Sequence, residues 1–219
     1  VFNAAFIPSY VDAKLNNASE GKKFANDIFN LLIIILLGIV FLVEIFTPFI
    51  VYLIAPGFYE NFEKFDIAVE LTRITFPFLF FVTLSSFFSG ILNTNNKFAA
   101  AAAAPIILNI FLILSLALSY FFDLNFEINL SYAVTLAGLF QLAFLIFVTK
   151  NYYKPSIYFK IKINSKVNFF LKKLLPSIFS SGVTQINILI GTIIASFESG
   201  AVSYLYYADR IYQINLAIA

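Results

Sequence analysis

Apolar residues run in long blocks along this chain, and polar residues gather in short gaps between them. A helix needs about 20 such residues to cross ~30 Å of hydrocarbon. Five blocks meet that length: residues 25–54, 68–92, 99–122, 129–149 and 168–197. Residues 1–11, "VFNAAFIPSYV", read as the end of an earlier span, and Gly200 opens another that is cut off. The pattern predicts an all-α, polytopic helical membrane protein with about five complete and two partial transmembrane helices. The chain starts at Val1 and holds no Met, so an internal fragment of a longer protein is expected.

Composition strengthens that reading. The 219 residues are 61% hydrophobic and 12% charged, with a mean hydropathy of +0.89. Soluble domains carry roughly 45–50% apolar and ~25% charged residues. The apolar excess therefore needs lipid as its solvent. With no Cys and no His, disulfide frameworks, thiolate metal sites and His-activated nucleophiles are all excluded. Net charge is only +2, too small for a nucleic-acid footprint.

Where the charges fall is more informative. Alternating spans sort the connections into two sets. One set, 12–24, 93–98 and 150–167 with the start of the next helix, holds Lys14, Lys22, Lys23, Lys97, Lys150, Lys154, Lys160, Lys162, Lys166, Lys172 and Lys173. The other, 55–67, 123–128 and 198–200, holds Lys64 alone against Glu60, Glu63, Asp66, Asp123, Glu127 and Glu198, with Glu70 flanking. Lysine asymmetry of this size predicts that the first set faces the cytoplasm. In the longest connection, "KNYYKPSIYFKIKINSKV" (150–167), Tyr152, Tyr153, Tyr158 and Phe159 interleave with lysines, as in a segment lying at headgroup level. That connection also divides the helices into two groups: 1–150, a linker over 151–167, and 168–219.

Proline falls inside four spans, at Pro48, Pro77, Pro105 and Pro176, and predicts bends there. The small-residue run Ala99–Ala104 fits close helix packing. Glu60, Glu63, Asp66 and Glu70 share one helical face and read as a solvated outer surface.

Ions inside spans are few: Glu44, Arg73, Asp209 and Arg210. Each central charge costs ~2.5–3.5 kcal/mol on insertion scales and so needs a partner or a cavity. Arg73 is near enough to a span end to snorkel. Glu44 precedes Thr47 and Pro48, and is expected to bond loosened backbone or face a cavity. Asp209 and Arg210 lie about 15 Å beyond Gly200, near mid-bilayer. Consecutive side chains diverge by about 100° on a helix, so each is expected to find a different partner. Arg210 shares its face with Ser203, Tyr206, Tyr207 and Gln213. The preceding span carries Ser177, Ser181, Thr184, Gln185, Gly191 and Thr192 at steps of three, four and seven. Two polar faces on consecutive helices could line a watery cavity in which Arg210 binds an anion bidentately. The alternative is a polar contact between helices, with Arg210 paired to an acid elsewhere.

Several blocks together resemble a known family. "AFIPSYVD" (5–12), "APGF" (55–58), "LTRITFPFLFFVTLSSFFSGILNTNNKFA" (71–99), "APIILNI" (104–110), "SGVTQINILIGTIIAS" (181–196) and "GAVSYLYYADRIYQ" (200–213) follow the order seen in the MurJ/MviN lipid II flippases. These belong to the multidrug/oligosaccharidyl-lipid/polysaccharide exporter superfamily. The resemblance implies a two-lobed flippase fold. Residues 1–150 would be the end of the second helix and the rest of the N-terminal lobe. A cytoplasmic inter-lobe linker would occupy 151–167, and 168–219 would hold the first helices of the C-terminal lobe.

The resemblance further implies a multi-pass protein of the bacterial inner membrane. It would move lipid II, an undecaprenyl-diphosphate-linked peptidoglycan precursor, by alternating access, working as a monomer without enzymatic chemistry. Arg210 matches the arginine of the family's YADR block, implicated in holding the lipid-linked diphosphate, and Asp209 its neighbour. Ser203 and the polar face around Gln185 match cavity-lining positions, and with Gln213 these are the candidate substrate-binding residues. Gln213 and Asn215 depart from the common pattern by removing a charge and a proline. No cofactor or metal and no nucleic-acid partner is expected; coupling to membrane potential or a monovalent cation stays open. The competing readings are export of another lipid-linked oligosaccharide or a drug, and a non-transporting scaffold for wall synthesis. A lipid transferase lacks a catalytic constellation.

Overall fold

The computed structural model describes residues 2–158 and 165–218. Among them the chain is helical throughout: α1 Phe2–Asn16, α2 Ala18–Ile54, α3 Phe62–Thr75, α4 Phe78–Thr94, α5 Phe98–Phe122, α6 Phe126–Thr149, α7 Ser165–Ala195 and α8 Ala201–Ile218. A single 3₁₀ turn, Pro56–Glu60, links α2 to α3. Five spans are long and apolar enough to cross a membrane, the α3–α4 pair counting as one. All five correspond to the apolar blocks of the sequence, and the protein is a multi-pass membrane protein.

Two prolines, Pro48 and Pro77, shape the half of the bundle away from the lysine-rich connections. Pro48 cannot donate to the carbonyl of Glu44, and α2 is non-helical at Phe46 (φ −97°, ψ 15°). The Thr47 hydroxyl covers the loosened backbone, 2.6 Å from the Val43 carbonyl and 3.2 Å from that of Glu44. Thr47, not Glu44, therefore satisfies the break. One carboxylate oxygen of Glu44 is buried without a hydrogen-bond partner, and Arg73 stands within electrostatic reach. Pro77 breaks the second block more fully, so α3 and α4 are separate helices. At that break Thr135 of α6 donates to the Ile74 carbonyl at 2.5 Å. α4 then lies on α6 closely enough that a Cβ on Gly138 would sit 2.6 Å from the Phe78 ring.

The core sits at the end of the bundle that carries the lysine-rich connections. Phe6, fully buried, packs against Tyr10, Phe24, Phe87 and Phe170. Aromatic pairs like these contribute ~0.5–1.5 kcal/mol each beyond burial. Phe170 and Val167 bring the first turns of α7 into this cluster. Polar contacts join the same end: Lys14 Nζ donates to Asn95 Oδ1 at 3.1 Å, and Lys166 pairs with Glu20 at 2.5 Å. The lysine-rich connections are thus gathered on one side. At the far end, Gly57 N donates to Ser196 Oγ at 3.0 Å. The acidic face Glu60, Glu63, Asp66 and Glu70 is exposed there, in keeping with its spacing.

The linker differs from its expected form. Tyr153 is buried against Phe87 and Phe88 instead of being exposed as a headgroup contact would need. Its hydroxyl donates to Asn26 Oδ1 at 2.6 Å. Asn30 grips the linker backbone twice: its amide donates to the Ser156 carbonyl at 2.8 Å and its Oδ1 accepts from Tyr158 N at 2.8 Å. Tyr158 OH donates to Asp27. Ser165 to Val167, expected in the linker, already belong to α7. Phe159, Lys160 and Lys162 lie outside the described residues.

Candidate functional site

α7 touches the rest of the molecule at its two ends, on α1 and α2 at one and on the 3₁₀ turn at the other. Its middle, including Thr184 and Gln185, is exposed. α8 turns back after Gly200 and packs on α7. Between them lies a cavity of about 370 Å³ lined by Asn187, Ile188, Gly191, Thr192, Val202, Leu205, Tyr206 and Asp209. Gly191 and Thr192 of the α7 stripe therefore do meet α8.

The sequence predicts separate partners for Asp209 and Arg210, but one residue serves both. Gln213 lies four positions after Asp209 and three after Arg210, so its amide reaches each. Its Nε2 donates to Asp209 Oδ2 at 2.6 Å, and its Oε1 accepts from Arg210 Nη1 at 3.2 Å. The two amide ends match the two charges: a donor faces the carboxylate and an acceptor faces the guanidinium. Arg210 also stacks over the Tyr206 ring, 4.8 Å from its centroid. These contacts orient the guanidinium without consuming it. Arg210 is exposed, and most of its five N–H donors remain open to an anion.

The structure joins Asp209, Arg210 and Gln213, with Tyr206 beneath, and brings Asp209 to the cavity. It does not bring in Ser203 or Gln185: both are exposed, and neither lines the cavity. Asn187 does line it, a position that the stripe from Ser177 passes over. Its signal in the sequence is its spacing, four residues before Gly191. Among the described residues, no cluster of three or more acidic, His or Cys side chains is placed to hold a metal ion.

Comparison with known proteins gives this arrangement its context. The family described as lipid II flippase MurJ matches residues 1–219. A "Probable lipid II flippase MurJ" of Rickettsia prowazekii is 40% identical over 99% of this chain, and that of Rhizobium tropici 38% over 99%. The chain spans 42% of the length of each. A solved structure, "Lipid II flippase MurJ, inward closed conformation", superposes with a TM-score of 0.70 and 28% identity, covering 97% of this chain and 45% of that one. A match over every residue, close relatives across nearly the whole chain, and a shared fold lead to one conclusion: the chain belongs to the MurJ lipid II flippase family.

Proposed function

We infer that the protein moves lipid II from the inner to the outer leaflet of the bacterial inner membrane. The observation that carries this reading is Arg210, exposed and held in place by Gln213 and Tyr206 within a helix otherwise rich in apolar and aromatic side chains. A bare diphosphate cannot enter hydrocarbon at a tolerable cost. A guanidinium fits its oxygens two at a time. Asp209 opposes a second anion nearby, which favours one bound group and eventual release. The polyprenyl tail would stay in lipid while the headgroup lies in the space beside α7 and α8.

In this reading the lysine-rich side is cytoplasmic. An inside-negative potential then assists outward movement of an anion by ~2.3 kcal/mol per charge per 100 mV. Residues 1–150 act as one lobe, 168–219 open the second, and 151–167 link them. The protein acts as a monomeric transporter and makes or breaks no covalent bond. Gln185 and Ser203 would meet cargo only through the surfaces they now expose.

The test uses the full-length protein in bacteria depleted of their own lipid II flippase, with lipid II accessible at the outer leaflet as readout. The unaltered protein is expected to restore that accessibility, and Arg210→Ala, inserted at equal level, to lose it. Equal rescue by both would make Arg210 structural. Rescue by neither, at normal insertion, would point to another lipid-linked sugar as cargo.

A further inference from the structure

The sequence block "APGF" (55–58) lies outside the residues assigned to cargo above, and it forms a direct contact between the 3₁₀ turn and the tip of α7. A Cβ built on Gly57 would lie 2.4 Å from the Ser196 carbonyl oxygen, 2.5 Å from Phe197 N and 2.5 Å from the Ser196 carbonyl carbon. All three obstacles are backbone, so no side chain can swing aside. Ordinary contact begins near 3.4 Å, and even alanine would thus force the two segments about 1 Å apart.

One hydrogen-bonded chain fastens the approach. Gly57 N donates to Ser196 Oγ at 3.0 Å, and Ser196 Oγ donates onward to the Ile193 carbonyl at 2.7 Å. The Ile193 carbonyl belongs to the last turn of α7, where helical partners run out. Ser196 is only 2% exposed, although α7 is largely exposed through its middle. The turn that carries Gly57 is itself rigid. Val51, Phe65 and Val69 form a small buried cluster beneath it, joined by Phe58. Tyr59 packs edge-on against Tyr52, Phe62 and Phe65 at 5.3–5.6 Å.

We propose that Gly57 and Ser196 form a latch that holds the outer side shut, and that only glycine at position 57 lets it close. The latch deepens the alternating-access part of the proposed function and rests on it. A rigid turn on one lobe meets the end of a helix from the other. A single hydrogen bond with buried surface is strong enough to bias the closed state and weak enough to release it.

The experiment measures distances between spin labels at Glu60→Cys and Ser199→Cys, both exposed positions flanking the contact. It uses the full-length protein, otherwise without cysteine, in lipid nanodiscs. A dominant short distance is expected with Gly57 and Ser196 intact. Gly57→Ala is expected to cut that population several-fold in favour of longer distances. Ser196→Ala keeps the fit but loses the hydrogen bond, and should shift the populations the same way by less. An unchanged distribution in Gly57→Ala overturns the latch. Should Gly57→Ala fail to insert, Ser196→Ala decides alone: no shift overturns the latch, and a shift supports it. The measurement needs no cargo, so the latch and the cargo assignment can fail independently of each other.

Discussion

At the scale of single residues, the YADR segment is a small electrostatic device rather than a pair of stray charges. Gln213 links Asp209 and Arg210 through the two ends of one amide, which keeps the acid from collapsing onto the base. Exchanging Gln213 for Leu should therefore lower transport by several-fold without abolishing it. Hydrogen bonds to charged groups are worth ~1.5–3 kcal/mol when buried, and less for exposed groups such as these. Arg210→Lys keeps the charge but loses the planar fork, so its outer-leaflet lipid II signal should fall between those of Arg210 and Arg210→Ala. Much of this is legible in the sequence, because steps of three and four on one helix guarantee neighbours. Gln185 and Ser203 show where such reasoning stops. A helical face says what it presents, and nothing about which neighbour comes to meet it. Asn187, three residues after Thr184 and four before Gly191, has the spacing of the stripe, but that it meets α8 is seen only once the two helices pack.

At the scale of elements, the linker is fastened to α2 by groups that a hydropathy reading cannot see. Asn26, Asp27 and Asn30 lie in an otherwise apolar stretch, and their partners are backbone and phenol groups more than a hundred residues away. Tyrosines among lysines suit headgroups, so the linker reads as interfacial in sequence, and nothing local shows that Tyr153 is buried. Asn30→Ala removes the acceptor for Tyr158 N and the donor to the Ser156 carbonyl. Amide exchange at Tyr158 should accelerate by roughly tenfold or more, at about 1–3 kcal/mol for the lost contacts. Burial, and then the Asp27 carboxylate, hold the Tyr158 phenol above its ordinary range. The raised value means the docked linker is favoured equally at all pH below ~10, where free tyrosine begins to ionise. Above that, docking should weaken with rising pH, and Tyr158→Phe should flatten the trend in exchange rates. Helices themselves are far more legible, since block length and apolarity decide them. The α3–α4 break is visible only as Pro77. Gly138 marks where α4 and α6 touch: Gly138→Ala should lower thermal stability in detergent by ~1–3 kcal/mol, since the Phe78 ring must shift to admit the methyl group.

At the scale of the whole molecule, two ends of opposite character bear on which way the bundle faces across the membrane. One end gathers the lysines, the aromatic core, the docked linker and the Lys166–Glu20 pair. The other carries the acidic face of α3 and the Gly57–Ser196 contact. Because contacts tie the connections of each end to one another, the lysine set cannot be split across the membrane without breaking the fold. Orientation is then a single choice, and the proposed one places the lysine-rich end inside, because cations near the span ends weigh more than acidic loops. Single cysteines at Lys22, Lys97 and Asn151 should be shielded from a membrane-impermeant maleimide in intact cells and labelled once the inner membrane is opened. Cysteines at Glu63 and Asp123 should label in cells whose inner membrane is intact. The reverse pattern would turn the bundle over. The Gly57–Ser196 contact would then close the cytoplasmic side, and the proposed direction of movement would have to be reversed. A mixed pattern within either set would mean that the contacts joining that end do not form in the membrane.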